Sequence, residues 1–180
     1  MRDMAAILPG SGGRLATAEN GLALVADSDS MKYVIVRYED YGSYGAYNHC
    51  ADAYLDVLPT LADQLPPGAR AFATDPDHYD FHGKRCVKDL KPVETRTEGD
   101  QLVLELRHNC WKHDADLVLR YTGVTEYTVD PPGELPSEVR LDELLPHEQG
   151  VRHEFVCVGG SIVVVAADVT AAWTPTDCTG

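Results

Sequence analysis

The stretch that most constrains the fold is QLVLELRHNCWKHDADLVLRYTGVTEYTV, residues 101 to 129. Leu102, Leu104 and Leu106 alternate with Val103, Glu105 and Arg107. Leu117, Leu119 and Tyr121 alternate with Val118, Arg120 and Thr122. A helix would scatter each set around its circumference, whereas a strand places it on one face. Two half-buried strands joined by a polar and aromatic stretch make a hairpin with a decorated tip.

Other segments supply partners for it. Lys32 to Tyr38 (KYVIVRY) is β-branched and aromatic, the composition of a strand. Gly42 and Gly45 end it, among clustered tyrosines. Between Ala46 and Leu65, Tyr47, Cys50, Tyr54, Val57, Leu58, Leu61 and Leu65 recur at three- and four-residue steps, the stripe of an amphipathic helix. Pro59 should kink it or restart it, and Pro66-Pro67-Gly68 should end it. Ala69 to Thr74 reads as a short strand, and Cys86 to Thr97 as a weakly alternating one that Pro92 confines to an edge or bulge. Val124 to Val129 should continue the meander. Ser137 could cap a short helix with Leu141, Leu144 and Leu145 on its apolar side. His153 to Val158 and Ser161 to Ala167 flank Gly159-Gly160 and read as a tight hairpin. SIVVVAADV, apolar on both faces, suits a central strand under a helix.

The expected fold class is α+β: a twisted, mostly antiparallel β-sheet with one main helix (about residues 46–65) packed on one face and a short helix near residues 138–145. Residues 1–30 form a lead-in, disordered or a hairpin about Asn20-Gly21. Residues 31–173 form one domain and residues 174–180 a frayed tail. Met31 is a candidate alternative start.

Charge narrows the partners. With 15 basic and 29 acidic residues, the net charge of −14 repels phosphate backbones and argues against nucleic acid. The same charge would steer a basic partner. No run of 18 apolar residues appears, so no membrane span is expected. The five cysteines lack a CxxC pair and are read as reduced cytoplasmic thiols, with room for one disulfide.

Candidate chemistry is sparse. His78 and His82 form an HxxxH pair, and His108, Cys110 and His113 an HxCxxH cluster. Imidazole and thiolate are the usual zinc ligands, but neither spacing fits a common zinc pattern, so hydrogen-bonded loop histidines are the expectation. Asp114 and Asp116 would share a face in a strand, and Asp75, Asp77 and Asp80 crowd a turn, where solvated carboxylates are the simpler reading. PGSGGR lacks the Lys-Ser/Thr ending of a phosphate loop. No catalytic residue, cofactor or metal is assigned. Exposed aromatics among acidic neighbours suit a protein interface, and the partner-binding candidates are Tyr41, Tyr44, Asp75, Asp77, Tyr79, Asp80, Trp111 and Asp114.

YDFHGKRCVKDL, QLVLELR, LVLRYTGVTEYTVD and HEFVCVGGSIVVVAADVTAAW, spanning residues 79 to 173, together resemble small bacterial immunity-type proteins of toxin–immunity systems. The shared pattern is an F-H start, an alternating strand, an LxLRFxGV-like strand and a closing glycine hairpin. Gly83 stands where such families often carry an Asp. The resemblance implies a non-enzymatic protein that occludes a basic toxin enzyme, and it assigns no residue a role. The alternatives are a small metal-binding protein or hydrolase using the His/Cys clusters at 78–82 and 108–113, and a homo-oligomer that buries an open sheet edge.

Overall fold

The computed structural model describes residues 31–40 and 42–178. The expectations for residues 1–30 and for Tyr41 lie outside the described residues.

The alternating leucines do share a face. Strands β3 (Lys91–Glu98), β4 (Gln101–Arg107), β5 (Ala115–Thr122) and β10 (Asp168–Pro175) form an antiparallel sheet in the order β10-β5-β4-β3. Its register aligns Leu102 with Tyr121, Leu104 with Leu119 and Leu106 with Leu117, and all but the half-buried Leu102 are sealed from solvent. On the opposite face Val103 lies between Arg96 and Arg120 in register. Val103 is nevertheless fully buried, because aliphatic arginine stems can cover an apolar neighbour while their charges stay wet. Those guanidiniums pair with Glu94, Glu98 and Glu105. Exposed pairs of this kind add little stability.

A second antiparallel sheet has the order β6-β9-β8-β7, from β6 (Glu126–Asp130), β7 (Glu138–His147), β8 (Gly150–Val158) and β9 (Gly160–Ala166). A two-stranded sheet pairs β1 (Ile35–Asp40) with β2 (Gly45–Cys50). The two large sheets share one core, and the Tyr121 hydroxyl of the first reaches His153 Nδ1 of the second at 2.8 Å. Residues just before β3 also join them: Asp89 N–H donates to the Val139 carbonyl, and Val139 N–H donates to that of Leu90.

The α+β class holds, with more strand and less helix than expected. Helix α1 spans Asp52–Ala62, with Pro59 inside it, rather than residues 46–65. The tyrosine-bearing stretch before it pairs as β2 instead. The segment at 69–74 is not a strand but forms most of α2 (Pro67–Ala73) and its C-cap Thr74, and the first amides of that helix bond the Asp168 carboxylate at 3.0 and 2.8 Å. The helix expected near 138–145 is strand β7. Leu141, Leu144 and Leu145 have helical spacing, but the long alternating β8 offers β7 a complete ladder, interrupted by one irregularity between Val139 and Leu141. Tertiary pairing overrides local propensity there. The segment after Gly123 leaves the first sheet, and β6 pairs with β9 instead of extending the meander. The glycine hairpin forms as expected, with β9 central. The tail does not fray after Trp173: Thr174 and Pro175 still pair with Asp116 and Ala115.

Among the described residues, no helix is long and apolar enough to cross a membrane.

Candidate functional site

The tip between β4 and β5 carries the densest chemistry. It turns through bonds from the Lys112 and His113 amides to the Asn109 carbonyl, 2.9 and 2.8 Å. Three side chains then bolt it to the loop before β3. Lys112 Nζ donates to the Lys88 carbonyl at 3.1 Å and to Asp89 at 3.2 Å. His113 accepts the Asn109 amide on Nδ1 and donates from Nε2 to the Cys86 carbonyl at 3.1 Å. That is a neutral tautomer, and burial followed by the nearby Lys112 charge lowers its pKa. Asp114 pairs with Lys84 at 3.2 Å and Arg85 at 3.4 Å. Burial opposes the charge of Asp89, but Lys88 and Lys112 outweigh it and hold its carboxyl below the usual range.

Behind the tip, His108 is buried between a carboxylate and two sulfurs. Its Nδ1 lies 2.6 Å from Asp116, which also accepts the His108 amide at 2.8 Å and the Thr176 hydroxyl at 3.1 Å. Burial alone would raise the Asp116 pKa, but the His108 amide and ring prevail and lower it. With the Nδ1 proton directed at the carboxylate, the Nε2 lone pair faces Cys178 Sγ at 3.3 Å and Cys110 Sγ at 3.4 Å. The two cysteines form a disulfide with Cα atoms 5.8 Å apart, across 68 residues of sequence. The expectation of reduced thiols with room for one disulfide is met at that one bond. Cys50, Cys86 and Cys157 are free. A cleft of about 680 Å³ opens beside the disulfide, lined by Lys84, Trp111, Asp114 and Thr176 among others.

The structure brings together only part of the expected surface. Trp111 is 73% exposed and shares the cleft with Asp114. Tyr44, also exposed, precedes β2 on the separate two-stranded sheet. Asp75, Asp77 and Asp80 are exposed turn residues, and the carboxylates of Asp75 and Asp80 accept the amides of Asp77 and His82. Tyr79 turns inward, stacks on His78 at 4.3 Å and donates its hydroxyl to the Asp142 carbonyl. The HxxxH pair does not converge, since His78 is buried and His82 exposed. In the HxCxxH cluster His113 turns away from the sulfurs. Cys178, set aside as part of a tail, takes its place.

Comparison with known proteins gives no match. No family model, curated protein or solved structure corresponds to the chain.

A second polar group lies between the sheets, where the sequence pattern gave no sign of it. The Asp142 carboxylate meets His78 Nε2 and His153 Nε2 at 2.9 Å each. His78 Nδ1 donates to the Phe72 carbonyl, and His153 Nδ1 meets the Tyr121 hydroxyl. Burial favours neutral forms throughout. The Asp142 charge overrides it at His78, whose pKa is raised, while burial prevails at His153, whose pKa is lowered. Burial likewise opposes the Asp142 charge, but the two imidazoles outweigh it and keep the carboxyl far below its usual range. All three side chains are sealed from solvent, so the group organises the core. Its neighbour Glu143 is also buried and accepts the amides of Lys32, Tyr33 and Val34 at 2.8, 2.7 and 2.9 Å.

Proposed function

We propose that the protein is a non-enzymatic binding protein that docks a partner protein on the β4–β5 tip, with Trp111 as the anchor. The observation that carries this reading is a tryptophan, 73% exposed, on a tip held by buried lysine and histidine bonds. A large exposed aromatic does nothing for the core, and on a rigid support it loses little entropy when a partner covers it. Hot-spot aromatics of this kind commonly contribute about 2 kcal/mol or more to binding.

The partner class is a basic protein, and the immunity-type sequence pattern points to a toxin enzyme blocked by occlusion. Steering comes from the net charge of −14 rather than from an acidic ring at the tip, because Lys84 and Arg85 offset Asp114. Salt should therefore slow association more than it speeds dissociation. The test places an aromatic photo-crosslinking residue at position 111, which keeps a ring at the anchor position, and, as a control, at the exposed Val93 of β3. The expected result is one basic protein captured from position 111 in the native host and not from position 93, with Trp111→Ala weakening the purified pair by roughly 30-fold or more. Equal capture from both positions, or none from either, overturns the reading.

A further inference from the structure

We propose that reduction of the Cys110–Cys178 bond opens a zinc site whose protein ligands are His108 Nε2 and the thiolates of Cys110 and Cys178. The three donor atoms lie within 4.8 Å of one another. Around tetrahedral zinc, bond lengths of about 2.3 Å to sulfur and about 2.1 Å to nitrogen set N···S separations of roughly 3.6 Å and an S···S separation of roughly 3.8 Å. His108 Nε2 already stands 3.3 and 3.4 Å from the sulfurs. Only the sulfurs must part, and Cys178 sits beyond the last paired residue of β10, where the chain is not held in a ladder.

The surroundings fit the same assignment. A zinc-bound imidazole nearly always directs its other ring nitrogen at a carboxylate or carbonyl, which fixes the tautomer. Asp116 fills that position at 2.6 Å and is itself held by Thr176 and the His108 amide. Three protein ligands leave a fourth position, and the exposed sulfurs border the cleft, so water or a partner side chain completes the shell.

Disulfide and metal exclude each other, because sulfurs bonded to one another carry no thiolate charge. Reduction therefore admits the ion and oxidation expels it. In the test a phosphine reductant attacks one sulfur, and the S–S electron pair leaves on the other as a thiolate. Water then releases the second thiol and converts the phosphine to its oxide. Two electrons pass from phosphorus to the sulfurs, and zinc displaces the two thiol protons. A cellular dithiol serves equally, ending as its own disulfide.

This inference does not depend on the partner-binding reading. The experiment uses the full chain without a histidine tag, titrated with zinc against a chromophoric chelator before and after phosphine treatment, and with cobalt(II) for its thiolate charge-transfer band. The expected result is one tightly held zinc per reduced chain with release of two protons, and none per oxidised chain. Reduced Cys178→Ser and Asp116→Asn should each bind at least roughly 10-fold more weakly, while Cys50→Ser binds like the parent. Near-ultraviolet circular dichroism shows that each variant keeps its core, and Asp116→Asn leaves all three ligands in place. Zinc held no more tightly after reduction than before, or parental affinity in folded, reduced Cys178→Ser, overturns the assignment.

Discussion

Asp142 has both carboxylate oxygens committed to buried imidazoles, so it cannot be removed cheaply. Asp142→Ala leaves His78 and His153 facing a void in the core without their shared partner. Removing one member of a buried ionic group typically costs about 3–5 kcal/mol. Urea unfolding should show a loss of that order, and Asp142→Asn, which keeps the shape and one acceptor, a smaller one. An unchanged midpoint for Asp142→Ala would mean that the group contributes nothing to the fold. Gly150, the first residue of β8, is a backbone counterpart. Its φ is +126°, and a methyl there would run into the carbonyls of Ala166 and Ala167. Gly150→Ala should destabilise by roughly 1–3 kcal/mol on the same assay. Neither residue announced its role in the sequence. LDELL reads as a helix surface, and only pairing with β8 turns Asp142 and Glu143 into buried groups.

At the level of elements, legibility followed alternation. β4 and β5 were readable because a period of two survives wherever one face is buried, and the β8–β9 hairpin because Gly159-Gly160 marks its turn. The extra helix and the misplaced ends of α1 came from apolar residues whose spacing suits either a helix or an uneven strand. The tip was half legible: Trp111 and Asp114 stood out, whereas Cys178 is brought there only by β10 pairing with β5. Trp111→Ala should therefore shift stability by no more than about 0.5 kcal/mol while weakening the purified pair as stated above, since the indole lies outside the core. A large stability loss would recast Trp111 as a packing residue. Oxidised parent and Cys178→Ser should differ by about 2–4 kcal/mol in unfolding free energy, because a cross-link across 68 residues restricts the unfolded chain.

Across the whole molecule, the histidines set a pH window. His49, His113 and His153 have lowered values, to about 4 for His49, chiefly because burial disfavours their charged forms. Their contribution is complete above the ordinary histidine value of about 6.5 and is lost as pH falls towards the lowered values. His78 runs the other way: its value is raised, so its contribution is complete below about 6.5 and fades as pH rises through the raised value. Stability should thus peak near neutral pH and fall on both sides, which denaturant midpoints measured from about pH 4 to about pH 9 would check. A steady gain in stability on acidification from neutrality would contradict the assignment of three imidazoles that desolvation keeps neutral.

Glu143 bears on how far the N-terminal side can be shortened. A version begun at Ile35 would retain every strand and helix found among the described residues, yet it would leave a sequestered anion without the three amides that neutralise it. Such a truncation should express as an aggregation-prone, protease-sensitive product, and Glu143→Leu should partly rescue it by replacing the stranded charge with hydrocarbon.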